Sequence, residues 1–504
     1  MYPISHVSDN KKQKQSKRRK KMNTAYQILE QRFNEKNTLE HIIALIDLDG
    51  QLNAPAAAAN GRGEQKTLLE LKIHAILTSP DWDEIFDKLE SAADLDVWQT
   101  ANVRKAKEEV AEASVLPAEL VEQLAKARND SVAVWFNARK ENDFDSFRPH
   151  LERLVDLQRQ AAVLKNPQNP YDAMLDSYES GMTQDFINPL FDDLKSFLPN
   201  FIDDIRSRAP RQTAEYENTL SVDEQIAFCK ELMNRMGFDF GRGRMDVSST
   251  AFCTTLGKDD IRIVSHFSRQ NPMEGIAAVM HETGHALYEM HLPYAYMNQP
   301  VGQQRGMAMH ESQSLLMEIG VLHSTGYLNW LAKRLGEKPE TMRAKVQSVQ
   351  PSLIRIYADE VTYPLHIVLR YELEKAMIAG DLQVKDLPAA WNDKMNSYLG
   401  VVPESNAKGC LQDIHWADGN FGYFPDYTLG AVAAAQFLRA AENAVPDIPE
   451  RLGQGDFAPL NKWLTDNIRT QASLRPFNDA VLFATRQRLT TESFKELLKS
   501  RYLP

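Results

Sequence analysis

Two histidines four residues apart, with a glutamate beside the first, mark the segment His281-Glu282-Thr283-Gly284-His285. On a helix that spacing puts both imidazoles on one face, where they can grip a single metal ion. The carboxylate of Glu282 then faces the same space from one position over. Two nitrogen ligands with a nearby carboxylate suit a zinc ion that turns a water molecule into a nucleophile. A catalytic zinc also needs a third protein ligand and one open position. Glu311 is the best candidate, 26 residues past His285 in His310-Glu311-Ser312-Gln313-Ser314. Glu318 is its rival on the same stretch; two turns on, it reads better as a solvated or structural carboxylate. His310 reads equally well as a partner of a ligand or as a surface residue.

The elements that must position these groups are visible in the same region. Asn271-Pro272-Met273-Glu274 signals a helix start, with Asn as N-cap, Pro at the first helical position and Glu placed for a capping box. Ile276, Val279, Met280, Ala286 and Leu287 make the helix apolar enough to be buried, so its histidines and glutamate require partners. A connection rich in Pro, Gly and Asn from Pro293 to Gly306 leads to a second helix carrying Glu311. The one credible β region runs from Met245 to Phe267, where Thr254-Thr255-Leu256 and Ile261-Arg262-Ile263-Val264 flank the turn Gly257-Lys258-Asp259-Asp260. Elsewhere long segments rich in Leu, Ala, Glu, Lys and Gln dominate. Pro/Gly clusters at 51–65, 165–172 and 445–460 read as loops, and no linker or repeat interrupts the chain. One large, mainly α-helical domain is therefore expected over residues 22–504, although 504 residues could hold two or three domains.

Composition narrows the class. With 43% hydrophobic and 25% charged residues the chain reads as soluble and globular. Its net charge of −11 argues against nucleic-acid binding by the body. Residues 1–21 hold eight Lys/Arg against one Asp, which leaves 50 basic and 68 acidic residues beyond. That basic run precedes no apolar segment, so it is not a secretory signal; it reads as a disordered extension ahead of Met22. Three scattered cysteines, Cys229, Cys253 and Cys410, imply a reducing compartment, and no apolar stretch is long enough to span a bilayer. A cytoplasmic location is expected.

Beyond the metal motif, several blocks resemble the carboxypeptidase Taq family of metallocarboxypeptidases. They include Tyr171 to Glu179 with Gly181-Met182-Thr183, His281 to Glu289, His310 to Ser314, Ile354-Arg355 and Ala358 to Tyr363. They continue through Leu369 to Glu374, Gly409 to Trp416, Phe421 to Pro425, Trp463-Leu464 and Tyr502-Leu503. The resemblance spans roughly residues 22–504. It implies a mainly α fold split by a deep groove, with a small β-sheet beside the zinc helix. It implies a homodimer that removes C-terminal residues from peptides with broad specificity. His281, His285 and Glu311 match the ligands of one zinc per chain, which cobalt can replace, and Glu282 matches the general base. Arg355 matches the anchor of the substrate's terminal carboxylate, and Tyr423 a tyrosine near the scissile bond.

By residue type alone Arg262, Arg305 and Arg370 would rival Arg355, and Tyr423 could be a packed aromatic. Gln412 and His415 line the site or brace it, while His266, His291, His323 and His366 have no motif support. The sequence also departs from the family pattern. Thr250-Ala251-Phe252 stands for His-Pro-Phe, Val264 for a threonine, Tyr357 for an acidic residue, and Leu315 and Met317 for an arginine and a tryptophan. These positions touch residue preference and turnover more than reaction type. An endopeptidase using the same chemistry and a catalytically weak peptide-binding relative are the alternative readings.

Overall fold

The computed structural model describes residues 24–208 and 220–503. The expected basic extension, residues 1–21, lies outside the described residues. Among these, twenty α-helices and one three-stranded sheet form, so the mainly α expectation holds. No described helix is long and apolar enough to cross a membrane.

The chain divides into two compact units, one running to Ser114 together with Tyr294–Gln303, the other holding Val115–Pro293 and Gln304–Pro504. The core of the first is aromatic: Tyr26, Phe33, Trp82 and Phe86 are buried, with Trp82 stacked on Phe86 at 5.2 Å. Buried Asn102 stitches the distant segment into this unit. Its amide donates to Gln299 Oε1 at 3.1 Å and its carbonyl oxygen accepts from the Val301 amide at 3.1 Å. A segment distant in sequence is thus held by satisfied buried hydrogen bonds.

In the second unit the helix Pro425–Ala444 is buried along most of its length. Its run of Gly430, Ala431, Ala433, Ala434 and Ala435 lets the helix Met307–Leu315 lie close against it. The sheet has the order β1-β3-β2, with β1 Gly243–Val247, β2 Phe252–Gly257 and β3 Asp260–Ser265. The predicted hairpin is the β2–β3 pair, with Phe252 opposite Val264 and a bulge between Thr255 and Gly257. Strand β1 pairs parallel to β3, a partner that the sequence pattern did not announce. Central β3 buries Ile261, Ile263 and Val264 completely, as a strand flanked on both edges should.

Two local expectations fail. The clusters at 51–65, 165–172 and 445–460 are not plain loops, because Ala59–Leu77, Pro170–Asp176, Ile448–Leu452 and Ala458–Asn467 begin within them. In the last three, proline occupies the first or second helical position, where its missing N–H costs nothing. The helix at Pro272 starts as predicted, but Asn271 makes no side-chain cap. Glu274 pairs with His266 at 3.1 Å instead, drawn off by a partner just beyond β3.

Candidate metal centre

The helix Pro272–Met290 carries His281 and His285 one turn apart, their ring centroids separated by 4.9 Å. Both Nε2 atoms face the Glu311 carboxylate, at 3.8 Å from His281 and 3.5 Å from His285. These separations are too long for good hydrogen bonds. Ligand atoms bound at 2.0–2.1 Å around a tetrahedral zinc stand roughly 3.3–3.5 Å apart, so the spacing suits donors that share an ion. His281, His285 and Glu311 together form a metal-binding group, their donor atoms lying within 4.8 Å of one another.

Close helix packing brings Glu311 there. A Cβ on Gly284 would stand 2.4 Å from the Gln313 carbonyl oxygen and 2.6 Å from Ser314 Cα, so only glycine lets the two helices approach. Gly430 plays the same part on the far side, where a Cβ would meet Glu311 Cβ at 2.8 Å. The glutamate helix Met307–Leu315 lacks a side-chain cap from its own Gly306. Its first amides are satisfied by a distant segment: Met307 donates to the Tyr178 carbonyl at 2.9 Å and Met309 to the Glu179 carboxylate at 3.3 Å. A buried anion at a helix N-terminus is favourably placed.

After Leu315 the helix widens into a π-helical stretch, Leu316–Leu322. Such stretches recur at functional sites. This one carries Glu318, whose Oε2 lies 2.7 Å from His281 Nδ1. Glu318 is therefore half-buried and paired, and it holds the His281 ring with Nε2 toward Glu311. His310 stacks on His285 at 4.4 Å and bonds Glu289 at 3.0 Å, which fixes the second ring's plane.

The electrostatics suit a cation. Burial works against charging His281, but Glu311 and Glu318 outweigh it and lift the ring to about 10. Burial, reinforced by His310 and His281, pushes His285 well below the ordinary histidine value. Burial lifts Glu282 to about 7 and raises Glu311 as well. A divalent ion would balance such a set of buried carboxylates and imidazoles, and the His281, His285 and Glu311 donors fit one.

A second cluster adjoins. Arg355 is buried and donates to Asp413 Oδ1 from Nε at 3.0 Å and Nη2 at 2.9 Å, and to the Tyr363 hydroxyl from Nη1 at 2.7 Å. Arg370 donates to the other oxygen of Asp413 at 2.7 Å. Burial would raise Asp413, but Arg370 and Arg355 outweigh it and hold the carboxyl well below its usual range. Two guanidiniums share this one carboxylate, leaving a net positive charge that reaches Glu311. Gln412 accepts from the Arg355 amide and from Arg370, both at 2.8 Å, and donates to the Leu353, Lys408 and Gly409 carbonyls. Both ends of that amide are thus spent, its oxygen on the two arginine residues and its NH2 on backbone carbonyls. His415 stacks on Phe424 at 4.4 Å and meets the Tyr427 hydroxyl at 3.2 Å. Of the other arginines, Arg262 pairs with Asp260, and Arg305 donates to the Ser180 carbonyl at 2.7 Å beside Glu179.

Tyr423 packs edge-on against Tyr178 at 5.1 Å and Tyr427 at 5.2 Å, and the Glu311 charge acts on its hydroxyl. His266 and His291 bond Glu274 and the Leu287 carbonyl, His323 lies in ion-pair range of Glu360, and His366 is buried. Sequence reasoning missed the roles of Gly284 and Glu179. The glycine between the two histidines was a usable signal; nothing local marked Glu179 as a cap for a helix beginning at Met307.

Residues 28–502 match the family profile described as carboxypeptidase Taq (M32) metallopeptidase. The chain is 35% identical to a thermostable carboxypeptidase 1 of Thermus thermophilus over 471 residues, 89% of this chain and 92% of that one. It is 31% identical to carboxypeptidase 1 of Bacillus subtilis, covering 91% and 94%. Among solved structures, the M32 carboxypeptidase of Deinococcus radiodurans superposes with a TM-score of 0.92 at 33% identity, covering 95% of this chain and 99% of that one. Metallocarboxypeptidase 1 of Trypanosoma cruzi gives 0.92 at 32% identity, with the same coverage.

Proposed function

Because the chain belongs to the carboxypeptidase Taq (M32) metallopeptidases and is a metallocarboxypeptidase, we propose that it works with zinc and removes C-terminal residues with broad preference. The observation that carries this reading is a metal-binding group next to a buried arginine pair with only one carboxylate between them. His281, His285 and Glu311 would hold the zinc, which would supply Lewis acidity for water activation and carbonyl polarisation. Glu282, buried beside the histidines, accepts a proton from the attacking water and later delivers one to the leaving amine. The Tyr423 hydroxyl donates to the oxyanion as it develops. Arg355 receives the terminal carboxylate through the N–H groups of its planar head that Asp413 and Tyr363 leave free. An anchor that reads the main-chain carboxylate, common to every peptide, supports broad preference for the side chain removed.

The test is hydrolysis of N-blocked peptides with free and amidated C termini by zinc-loaded protein, beside Glu282→Gln. Free peptides should be cleaved and amidated ones spared. The variant should keep its metal and lose on the order of 10²–10⁴ in rate. Equal cleavage of amidated peptides would instead support an endopeptidase, and metal retention without turnover a peptide-binding relative. A homodimer is proposed from family resemblance, and the three free cysteines support a reducing, cytoplasmic setting.

A further inference from the structure

Three sequence blocks with no evident common purpose converge on one buried carboxylate. Glu374 lies in the helix Tyr363–Ala379 and is completely buried. Its Oε2 accepts from the Tyr171 hydroxyl at 2.7 Å and from the Gly422 amide at 3.0 Å. Its Oε1 accepts from Trp416 Nε1 at 2.7 Å. Among the described residues no lysine, arginine or histidine forms an ion pair with it. Arg370, one turn away on the same helix, is spent on Asp413, Gln412 and the His366 carbonyl. A buried carboxylate without a cation is costly, and three convergent donors are what keep it satisfied.

The donor with consequences for chemistry is Gly422. Its φ is +92°, and a Cβ there would stand 2.6 Å from the Met174 carbonyl carbon and 3.0 Å from the Leu175 amide. The backbone at 422 is therefore wedged against the helix Pro170–Asp176 on one side and tied to Glu374 on the other. Tyr423 follows immediately. Its carbonyl accepts from the Asp426 amide at 3.1 Å, at the entry to the helix Pro425–Ala444. Its ring is confined by Tyr178, Tyr427 and His415. One end of Tyr423 is thus fixed by a helix start and the other by the amide that Glu374 holds.

We infer that Glu374 is a positioning residue for Tyr423: by clamping the Gly422 amide it sets where the Tyr423 hydroxyl stands relative to the metal-binding group. This rests on the reading that Tyr423 donates to the oxyanion. A carboxylate serves where an amide would not, because glutamine sets a donor against either the Trp416 N–H or the Gly422 N–H, neither of which can accept. Misplacing a donor by about 1 Å can cost on the order of 10² in rate.

The experiment is a double-mutant cycle on zinc-loaded protein, with metal content and melting temperature measured for each variant. Tyr423→Phe should lower kcat about 10²-fold, the loss of one oxyanion donor. Glu374→Gln should lower kcat about ten-fold or more with KM and metal content little changed. In the Tyr423→Phe background, Glu374→Gln should cost nothing further, because the hydroxyl it positions is gone. Equal fold-losses in both backgrounds would overturn the inference, since a purely structural effect does not depend on the hydroxyl. Full activity of Glu374→Gln beside a crippled Tyr423→Phe would overturn it alone. Full activity of Tyr423→Phe would sink the oxyanion reading itself, a distinguishable failure. If Glu374→Gln does not fold, Glu374→Asp, which keeps the charge but withdraws it from Gly422, enters the same cycle with the same expectations.

Discussion

Glu311 and Glu318 lie seven positions apart, and both carboxylates reach His281, one at each ring nitrogen. Their roles separate by experiment. Glu311→Ala removes a direct donor and should lose stoichiometric metal on dialysis. Glu318→Gln leaves the donor set intact but removes the charge that orients the His281 ring; it should bind metal about ten- to a hundred-fold more weakly in a chelator competition. Unchanged affinity in Glu318→Gln would make the 2.7 Å contact incidental to metal binding. At the arginine cluster a charge-assisted pair is worth about 1.5–3 kcal/mol. Arg355→Ala should therefore lower kcat/KM on free-carboxylate peptides by about ten- to a hundred-fold, with metal content preserved. Arg355→Lys should recover little, lacking the fork. A loss of the same size on amidated peptides would move the anchor elsewhere.

At the scale of elements the site depends on how near two helices come. Alanine in place of a mid-helix glycine usually gains stability, because glycine loses more backbone freedom on folding. At Gly284 the sign reverses: the new methyl would meet the Gln313 carbonyl at 2.4 Å, with backbone rather than a flexible tip in the way. Gly284→Ala is expected to destabilise by about 1–3 kcal/mol, as overpacking does. It should also weaken metal binding, since the helices can relieve the clash only by moving Glu311 from the histidines. Chemical denaturation and chelator competition read the two effects separately. A variant as stable as wild type with unaltered affinity would show that the helices tolerate a wider spacing.

For the whole molecule, one buried ion cluster ties the C-terminal helix to the segment that carries Arg355. Glu360 is buried, accepts from the Tyr502 hydroxyl at 2.7 Å, and pairs with Arg501. Burial would raise its carboxyl, but Arg501 and His323 outweigh this and lower it from 4.5 to about 2. A carboxylate depressed on folding contributes stability that is full above its unfolded value and fades as pH falls toward the folded one. The cluster's contribution, on the order of 3 kcal/mol, should thus be intact above about pH 4.5 and lost toward pH 2. Denaturant midpoints at about pH 6 and pH 3 should fall further for wild type than for Glu360→Gln, which has no proton to gain. Parallel losses would assign the acid sensitivity to other carboxylates.

The sequence alone determined the features that neighbouring residues encode. His281, Glu282 and His285 were legible because their spacing is the helix period. The hairpin β2–β3 was legible because turn residues separate its two strands, and the burial of Pro272–Met290 because its apolar content leaves no other outcome. Glu311 could be named as a candidate because a zinc needs one more donor and a second helix offered it. What the tertiary structure decided was which distant groups meet. Four arginines were equal by type, and only packing set Arg355 and Arg370 on the one Asp413 while Arg262 and Arg305 found partners elsewhere. Glu318 reached His281 through a π-helical stretch that no local pattern announced, and Glu374 gathered donors from Tyr171, Trp416 and Gly422. Periodicity and turn chemistry act between adjacent residues, whereas these contacts join positions tens to hundreds apart, where close packing and the satisfaction of buried polar groups choose the partner.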